Sequence, residues 1–214
     1  MQKLMFFSLS MAALFMFACE PPVVFDKPQP ADAAAIGGFP KRLQGKYVSS
    51  ADSSFLQITG SSLIRIYDFY QKIHVTQLDS NQQIIGDTLF DLKTNRGQLI
   101  QFEGDSIVEH ISETDTIFTI DKLNILKKFK GYYFANINAA PNTWQVKELE
   151  FSHGKLIFSS INKKGDLEQL KQITESAIDT MPYVFSLTRN EFKKFIRNNG
   201  FRDNEEFMKL GNSK

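Results

Sequence analysis

The side chains in this 214-residue chain that could do chemistry are three histidines, one cysteine and a scatter of carboxylates. His74, His110 and His153 stand far apart in the sequence. His110 runs on into Ile-Ser-Glu113, which lacks the His-Glu-x-x-His spacing that puts two metal ligands on one helix face. It alternates with Val108 and Ser112 as a strand residue would, while His153 sits in Ser-His-Gly154, a hairpin-turn pattern. Carboxylates gather at Glu103/Asp105, Glu109 and Glu113/Asp115. General acid–base work needs two carboxyls held across a substrate, and these fall at expected turns and strand edges, where acids keep tips solvated. Asp79-Ser-Asn81 lacks the alternating ligands, glycine and terminal glutamate of a calcium loop. A Gly-x-Ser-x-Gly elbow, a P-loop and a Gly-x-Gly-x-x-Gly fingerprint are all missing. A single cysteine, Cys19, forms no internal disulfide and supplies no multi-cysteine zinc site. The chain is therefore read as a non-enzyme, with no catalytic residue, cofactor or metal site assigned.

Composition narrows the field further. Apolar residues make up 42% and charged residues 23%, the values of a folded globular chain. Lys+Arg number 25 against 24 Asp+Glu, so the basic excess expected of a nucleic-acid partner is missing. One apolar run is long enough to consider as membrane-seeking: Leu4 to Ala18, preceded by Lys3 and interrupted only by Ser8 and Ser10. It is short of the about 20 residues of a spanning helix and suits the apolar segment of a secretory signal. Pro21-Pro22 then stop any helix.

That run closes on Met16-Phe17-Ala18-Cys19. This resembles the lipobox of bacterial lipoproteins: an apolar residue, a spacer, a small residue, then Cys. Met16 stands where Leu is usual, and Phe17 is bulky for its place. The resemblance implies a signal peptide at 1–18, cut before Cys19, with Cys19 the lipidation site. The alternative is an ordinary signal peptide with a leftover cysteine. Each buried methylene contributes about 0.8 kcal/mol and one acyl chain binds only marginally, so several chains on Cys19 would anchor stably. Cleavage removes Lys3 and no acid, leaving 24 charges of each sign and a formal charge of zero. With no electrostatic attraction to anionic lipid, the acyl chains would do the anchoring.

The elements that must position any site are mostly strands. Residues 19–38 carry the anchor cysteine and four of the seven prolines, and are expected to form a flexible tether holding the domain off the bilayer. Docking of Val23, Val24 and Phe25 on the domain is the alternative. Residues 39–125 form a first β half. Short β-branched runs such as Phe55–Ile58, Leu63–Tyr67, Thr88–Leu92, Ile107–Ile111 and Thr116–Ile120 are separated by turn residues, among them Thr94-Asn-Arg-Gly97 and Glu103-Gly-Asp105. That punctuation reads as an antiparallel meander.

A second β half is expected over 126–187. Leu126-Lys-Lys-Phe-Lys-Gly-Tyr-Tyr-Phe134 repeats the pattern of Pro40-Lys-Arg-Leu-Gln-Gly-Lys-Tyr-Val48 at an offset of 86 residues. The offset suits two related halves rather than a solenoid, with chance similarity the other option. Leu167, Leu170 and Ile173 fall at helical spacing, but a duplication would put a strand across 166–178, and a strand is expected there. Tyr183–Leu187 reads as the last strand. Residues 188–214 are expected to be helical. Thr188-Arg-Asn-Glu191 is a capping box, Phe192, Phe195 and Ile196 form a stripe, Gly200 fits a C′ position, and a second helix is expected over Asp203–Leu210. The fold class is mainly β: an antiparallel meander or open barrel, with two related halves as one option and a short C-terminal helical segment.

Four stretches carry a second resemblance. Phe25-Asp-Lys-Pro-Gln-Pro30, Phe39-Pro-Lys-Arg-Leu-Gln-Gly-Lys-Tyr47, Ala51-Asp-Ser-Ser54 and Glu191-Phe-Lys-Lys-Phe195 with Asn199-Gly-Phe201 look like small lipoproteins of Bacteroidota, in which a proline-rich tether precedes a Leu-x-Gly-x-Tyr opening. The resemblance implies a location and a build, not an activity. The expected protein is lipid-anchored at the outer membrane and faces the periplasm. Its partners are the membrane, through the anchor, and another envelope component bound by the β domain. The alternative is a lipocalin-like carrier of an apolar ligand. The second draws on the 20 phenylalanines, which could fill a core or line a cavity.

Overall fold

The structure, a computed structural model, describes residues 23–211. Fourteen strands lie in one open, mixed sheet. The first β half supplies β2 (Gly45–Ser49), β3 (Phe55–Ile58), β4 (Ser62–His74), β5 (Gln82–Ile85), β6 (Thr88–Asp91), β7 (Arg96–Glu103) and β8 (Ser106–Thr119). The second supplies β9 (Ile125–Phe129), β10 (Tyr132–Ala140), β11 (Thr143–Ser152), β12 (Lys155–Ser160) and β13 (Tyr183–Phe185). Turns fall as the punctuation predicts at Glu103-Gly-Asp105 and Ser152-His-Gly154. The β6–β7 turn, however, is at residues 92–95, so Arg96 and Gly97 already belong to β7. The runs Ile107–Ile111 and Thr116–Ile120 merge into one strand, β8, with Glu113 and Asp115 inside it, because β4 pairs along its whole length. At β11–β12 the two loop residues, His153 and Gly154, both have positive φ (50° and 78°), as a tight hairpin with right-handed strand twist requires.

From the repeated glycine onward both halves carry a three-stranded antiparallel meander, β2–β3–β4 and β10–β11–β12. In the second half, however, β9 precedes it and pairs with β10, where residues 41–43 of the first half form a turn. The repeated motif puts Tyr47 and Tyr133 into the same core, and Arg42 Nη2 donates to the Tyr133 hydroxyl at 3.0 Å. After the third strand the parallel ends. The first half continues into β5, whereas residues expected as a strand at 166–178 form a helix, α1 (Lys164–Thr174). The 3.6-residue spacing decides this. Leu170 and Ile173 are buried and Leu167 packs beside them, on one helical face.

Two further expectations are overturned. Residues 203–210 are not a helix: β14 (Asp203–Lys209) pairs with β12 on one side and β2 on the other. Its sequence, Asp-Asn-Glu-Glu-Phe-Met-Lys, carries helix formers, but it fills the gap between the two halves, so neighbouring strands take its backbone hydrogen bonds and tertiary pairing overrides propensity. The expected flexible tether is also docked over residues 23–31, while Asp32, Ala34, Ala35 and Gly37 stay exposed. Val23–Phe25 is a strand, β1, buried throughout and held between β11 (Phe25 opposite Trp144) and the parallel β13. Lys127 Nζ donates to the carbonyls of Pro28, Pro30 and Ala31 at 2.8, 2.8 and 3.0 Å. Buried Asn136 accepts from Gln29 N and donates to Gln29 O.

The C-terminal helix α2 (Arg189–Arg197) forms as its capping box predicts: the Thr188 hydroxyl accepts from Glu191 N, and Thr188 N donates to the Glu191 carboxylate. The left-handed residue after it is Asn199 (φ 55°) rather than Gly200. Gly200 serves close approach instead, since a Cβ there would lie 2.5 Å from the Phe195 ring.

Two cores share the central strands, which show opposite faces to each by strand alternation. Leu43, Tyr47, Leu56, Leu63, Leu149 and Phe207 fill the side on which the two halves meet. On the other side α1 and α2 cover β10–β12, with Val23 and Phe25 of β1 in the same core, and Phe134, Phe192 and Phe201 pack edge-on and tilted at 5.0–6.2 Å. Most phenylalanines are thus core residues. The paired β4 and β8 run on beyond the body as an arm, with the β5–β7 meander and its own small core of Leu89, Ile100 and Ile107 at the far end.

Candidate functional sites

The arm presents one open face. Across it Tyr70 lies opposite His110, Leu99 opposite Thr88, and Thr88 opposite Ile85. The β7–β8 register, with Ile100 opposite Glu109, brings Leu99 alongside His110. Tyr70, Leu99 and Ile85 are 71%, 72% and 56% exposed, although β-strand side chains of this size ordinarily seek cover. His110 is fixed within the row. Its Nε2 meets Asp68 Oδ1 at 2.7 Å, and its ring stacks on Tyr70 with centroids 4.7 Å apart.

The other histidines serve local structure. His74 caps the 3-10 turn Val75–Gln77, accepting from Thr76 N, and His153 meets Ser152 Oγ at its hairpin turn. The three do not converge, and no cluster of His, Cys, Asp and Glu suited to a metal occurs among the described residues. Of the carboxylates singled out from sequence, Glu103 pairs with exposed Lys72, while Glu109 is buried under the arm. Glu109 and Glu113 share an arm cleft of about 460 Å³ with Asp91, Arg96 and Gln98, and burial pushes the Glu109 carboxyl up. Cys19 lies outside the described residues. No described helix is long and apolar enough to cross a membrane.

Sequence reasoning missed the second site, a cleft of about 510 Å³ between β10–β12 and the end of α2. Strand alternation sets Val146, Glu148 and Glu150 on the helix-covered face of β11. Cross-strand register adds Ser159 opposite Glu148, Ile157 opposite Glu150, and Asn204 opposite Ser159. Tyr132 closes one end, and Ile196 with Asn199–Arg202 forms the facing wall. That wall is locked onto α1: buried Asp166 Oδ2 accepts from Arg202 N at 3.1 Å, Arg202 Nη2 donates to Gln169 Oε1 at 3.1 Å, and Gln169 Nε2 donates to the Phe195 carbonyl at 3.2 Å.

Glu148 is the unusual member. It is 9% exposed, and its Oε2 has no hydrogen-bond partner among the described residues. Burial, with the Glu150 charge adding to it, pushes its carboxyl up to about 8. Burial and both carboxylates push the Tyr132 hydroxyl up as well. A buried carboxylate without a cation is costly, so such a group stays protonated or awaits a counter-charge. Nothing local in the sequence marks Glu148. A glutamate in an alternating strand normally faces water, and only the helix layer makes this one interior. Comparison of the chain with protein-family models, with curated proteins and with solved structures finds no match.

Proposed function

We propose that the chain is a lipid-anchored, non-catalytic protein of the cell envelope, at the outer membrane and facing the periplasm, whose β arm binds another envelope protein. The observation that carries the binding role is the arm's open row, Tyr70–His110–Leu99–Thr88–Ile85, with its aromatic and aliphatic tips in water. Covering one such side chain would contribute about 1.5–3 kcal/mol. The alternative of a lipocalin-like carrier would need the curved sheet to enclose a cavity. The packed meeting side of the two halves, filled by Leu56, Leu63, Leu149 and Phe207, favours the first reading.

The address rests on the lipobox and Cys19. Only Glu20, Pro21 and Pro22 separate that cysteine from buried β1. At about 3.3–3.6 Å per extended residue the reach is about 14 Å, so an acylated Cys19 would hold the domain against the bilayer instead of at a distance. Cys19→Ser is expected to release the protein from the membrane fraction, and full retention with normal signal cleavage would sink the anchor. Leu99→Asp on the exposed arm is expected to leave stability within about 0.5 kcal/mol. It should also remove a stoichiometric protein mass seen by native mass spectrometry of material drawn from its own envelope. A lipid-sized mass in place of the protein, unaffected by the substitution, would favour the carrier.

A further inference from the structure

We propose that the cleft between β11 and the end of α2 binds a small organic cation, an ammonium or guanidinium compound, with Glu148 as its buried counter-charge. Three observations converge. The cleft's about 510 Å³ is within the range of small-molecule sites. Its walls combine two carboxyls, Glu148 and Glu150, with the side-chain amides of Asn199 and Asn204 and the apolar or aromatic surfaces of Ile157, Phe201 and Tyr132. That mixture suits an organic cation, which takes charge pairing at its head and aromatic or apolar contact along its body. Finally, Glu148 is nine-tenths buried with a carboxyl oxygen unpartnered among the described residues, and the ion pairs there leave out both cleft glutamates.

Arg202 is the cation nearest at hand, but its guanidinium is committed to the Asn199 carbonyl at 3.0 Å and to Gln169 Oε1 at 3.1 Å. A bare calcium ion would want six to eight oxygens at 2.3–2.6 Å, and two glutamates in a space this large do not supply them. The ordered wall of Asp166, Gln169 and Arg202 means the cleft is formed before a ligand arrives, which spares the cost of ordering it on binding.

Proton linkage follows from the position of Glu148. The groups facing it are Glu150 on its own strand, Tyr132 from β10 and Arg202 from the wall; β12 and β14 contribute the uncharged Ser159 and Asn204. With its carboxyl pushed up to about 8, Glu148 holds its proton at neutral pH and must release it to meet a cation. Affinity should therefore rise with pH and level off above about 8, at about tenfold per unit on the acid side.

The test is calorimetric titration of the mature, detergent-solubilised protein with agmatine, at pH 6, 7 and 8 and in two buffers of different ionisation heat. Saturable one-to-one binding that tightens about tenfold from pH 6 to 7 and releases close to one proton is the expected result. Glu148→Gln should weaken binding at least tenfold and abolish the proton release, while Glu150→Gln weakens binding and keeps it. No saturable agmatine binding, or unchanged binding by Glu148→Gln, overturns the proposal. So does competition in which calcium alone binds and excludes agmatine. Should Glu148→Gln fail to fold, Glu150→Gln carries the test, and undiminished binding by that variant overturns the proposal equally.

Discussion

Replacing Glu148 by glutamine is expected to remove a pH dependence that the wild-type stability carries between the ordinary carboxyl value of 4.5 and about 8. In the folded protein this carboxyl keeps its proton up to about pH 8, against an ordinary value of 4.5. Between those limits the folded chain holds a proton that the unfolded chain has lost. Stability then falls as pH rises, because the unfolded state binds fewer protons than the native one. The contribution is fully present below about pH 4.5 and is gone above about pH 8. Its slope in between is about 1.4 kcal/mol per pH unit, and from pH 5 to pH 8 the total is about 4 kcal/mol. Glutamine keeps the shape and cannot ionise, so the variant lacks this term while sharing every other titrating group. Urea unfolding of wild type and variant at pH 5, 6, 7 and 8 measures the difference directly. The two should agree within about 1 kcal/mol at pH 5 and diverge steadily, with the variant the more stable by several kcal/mol at pH 8. Parallel stability curves would refute the reasoning, since they would mean that Glu148 titrates alike in both states and is not held in a dry site.

Two further perturbations test the packing that builds the site. Phe195 is fully buried and lies against Gly200 and Phe201, so Phe195→Ala should cost about 3–5 kcal/mol by urea unfolding; a loss under about 0.5 kcal/mol would mean α2 does not pack as described. Lys127→Met keeps the length of the side chain but removes three charge-assisted hydrogen bonds to the carbonyls of residues 28–31, so it should cost about 2–4 kcal/mol and expose that segment to proteolysis. Unchanged cleavage between residues 26 and 32 would show that Asn136 alone holds it.

The most legible parts were those whose signal is local. The turn residues and β-branched runs placed the meander, and the Thr188/Glu191 pair placed the start of α2, because hairpins and capping boxes are decided within a few residues. The stripe Leu167–Leu170–Ile173 also carried a correct helical signal, and the inferred repeat pulled the expectation the wrong way. Proline-rich 23–31 misled for a different reason. Its composition suits a solvated linker, but Val23–Phe25 finds two strands with a free edge, and Lys127 and Asn136, about a hundred residues away, take up the carbonyls and amides that water would otherwise serve. The arm's carboxylates were singled out from sequence, but the buried state of Glu109 was not, since it depends on which strands lie beside it.

By itself the sequence determined what neighbours along the chain decide: a mainly β architecture, a capped C-terminal helix, an apolar N-terminal run ending at Cys19, and a charge balance that disfavours nucleic acid. The tertiary structure decided what distant segments do to one another. It turned Asp203–Lys209 from expected helix to bridging strand, because the two halves needed a common neighbour to complete their hydrogen bonding. It also made Glu148 an interior group. Strand alternation fixes only which face a side chain takes; whether that face meets water or a helix depends on α1 and α2, which fold back from residues that follow it in the chain.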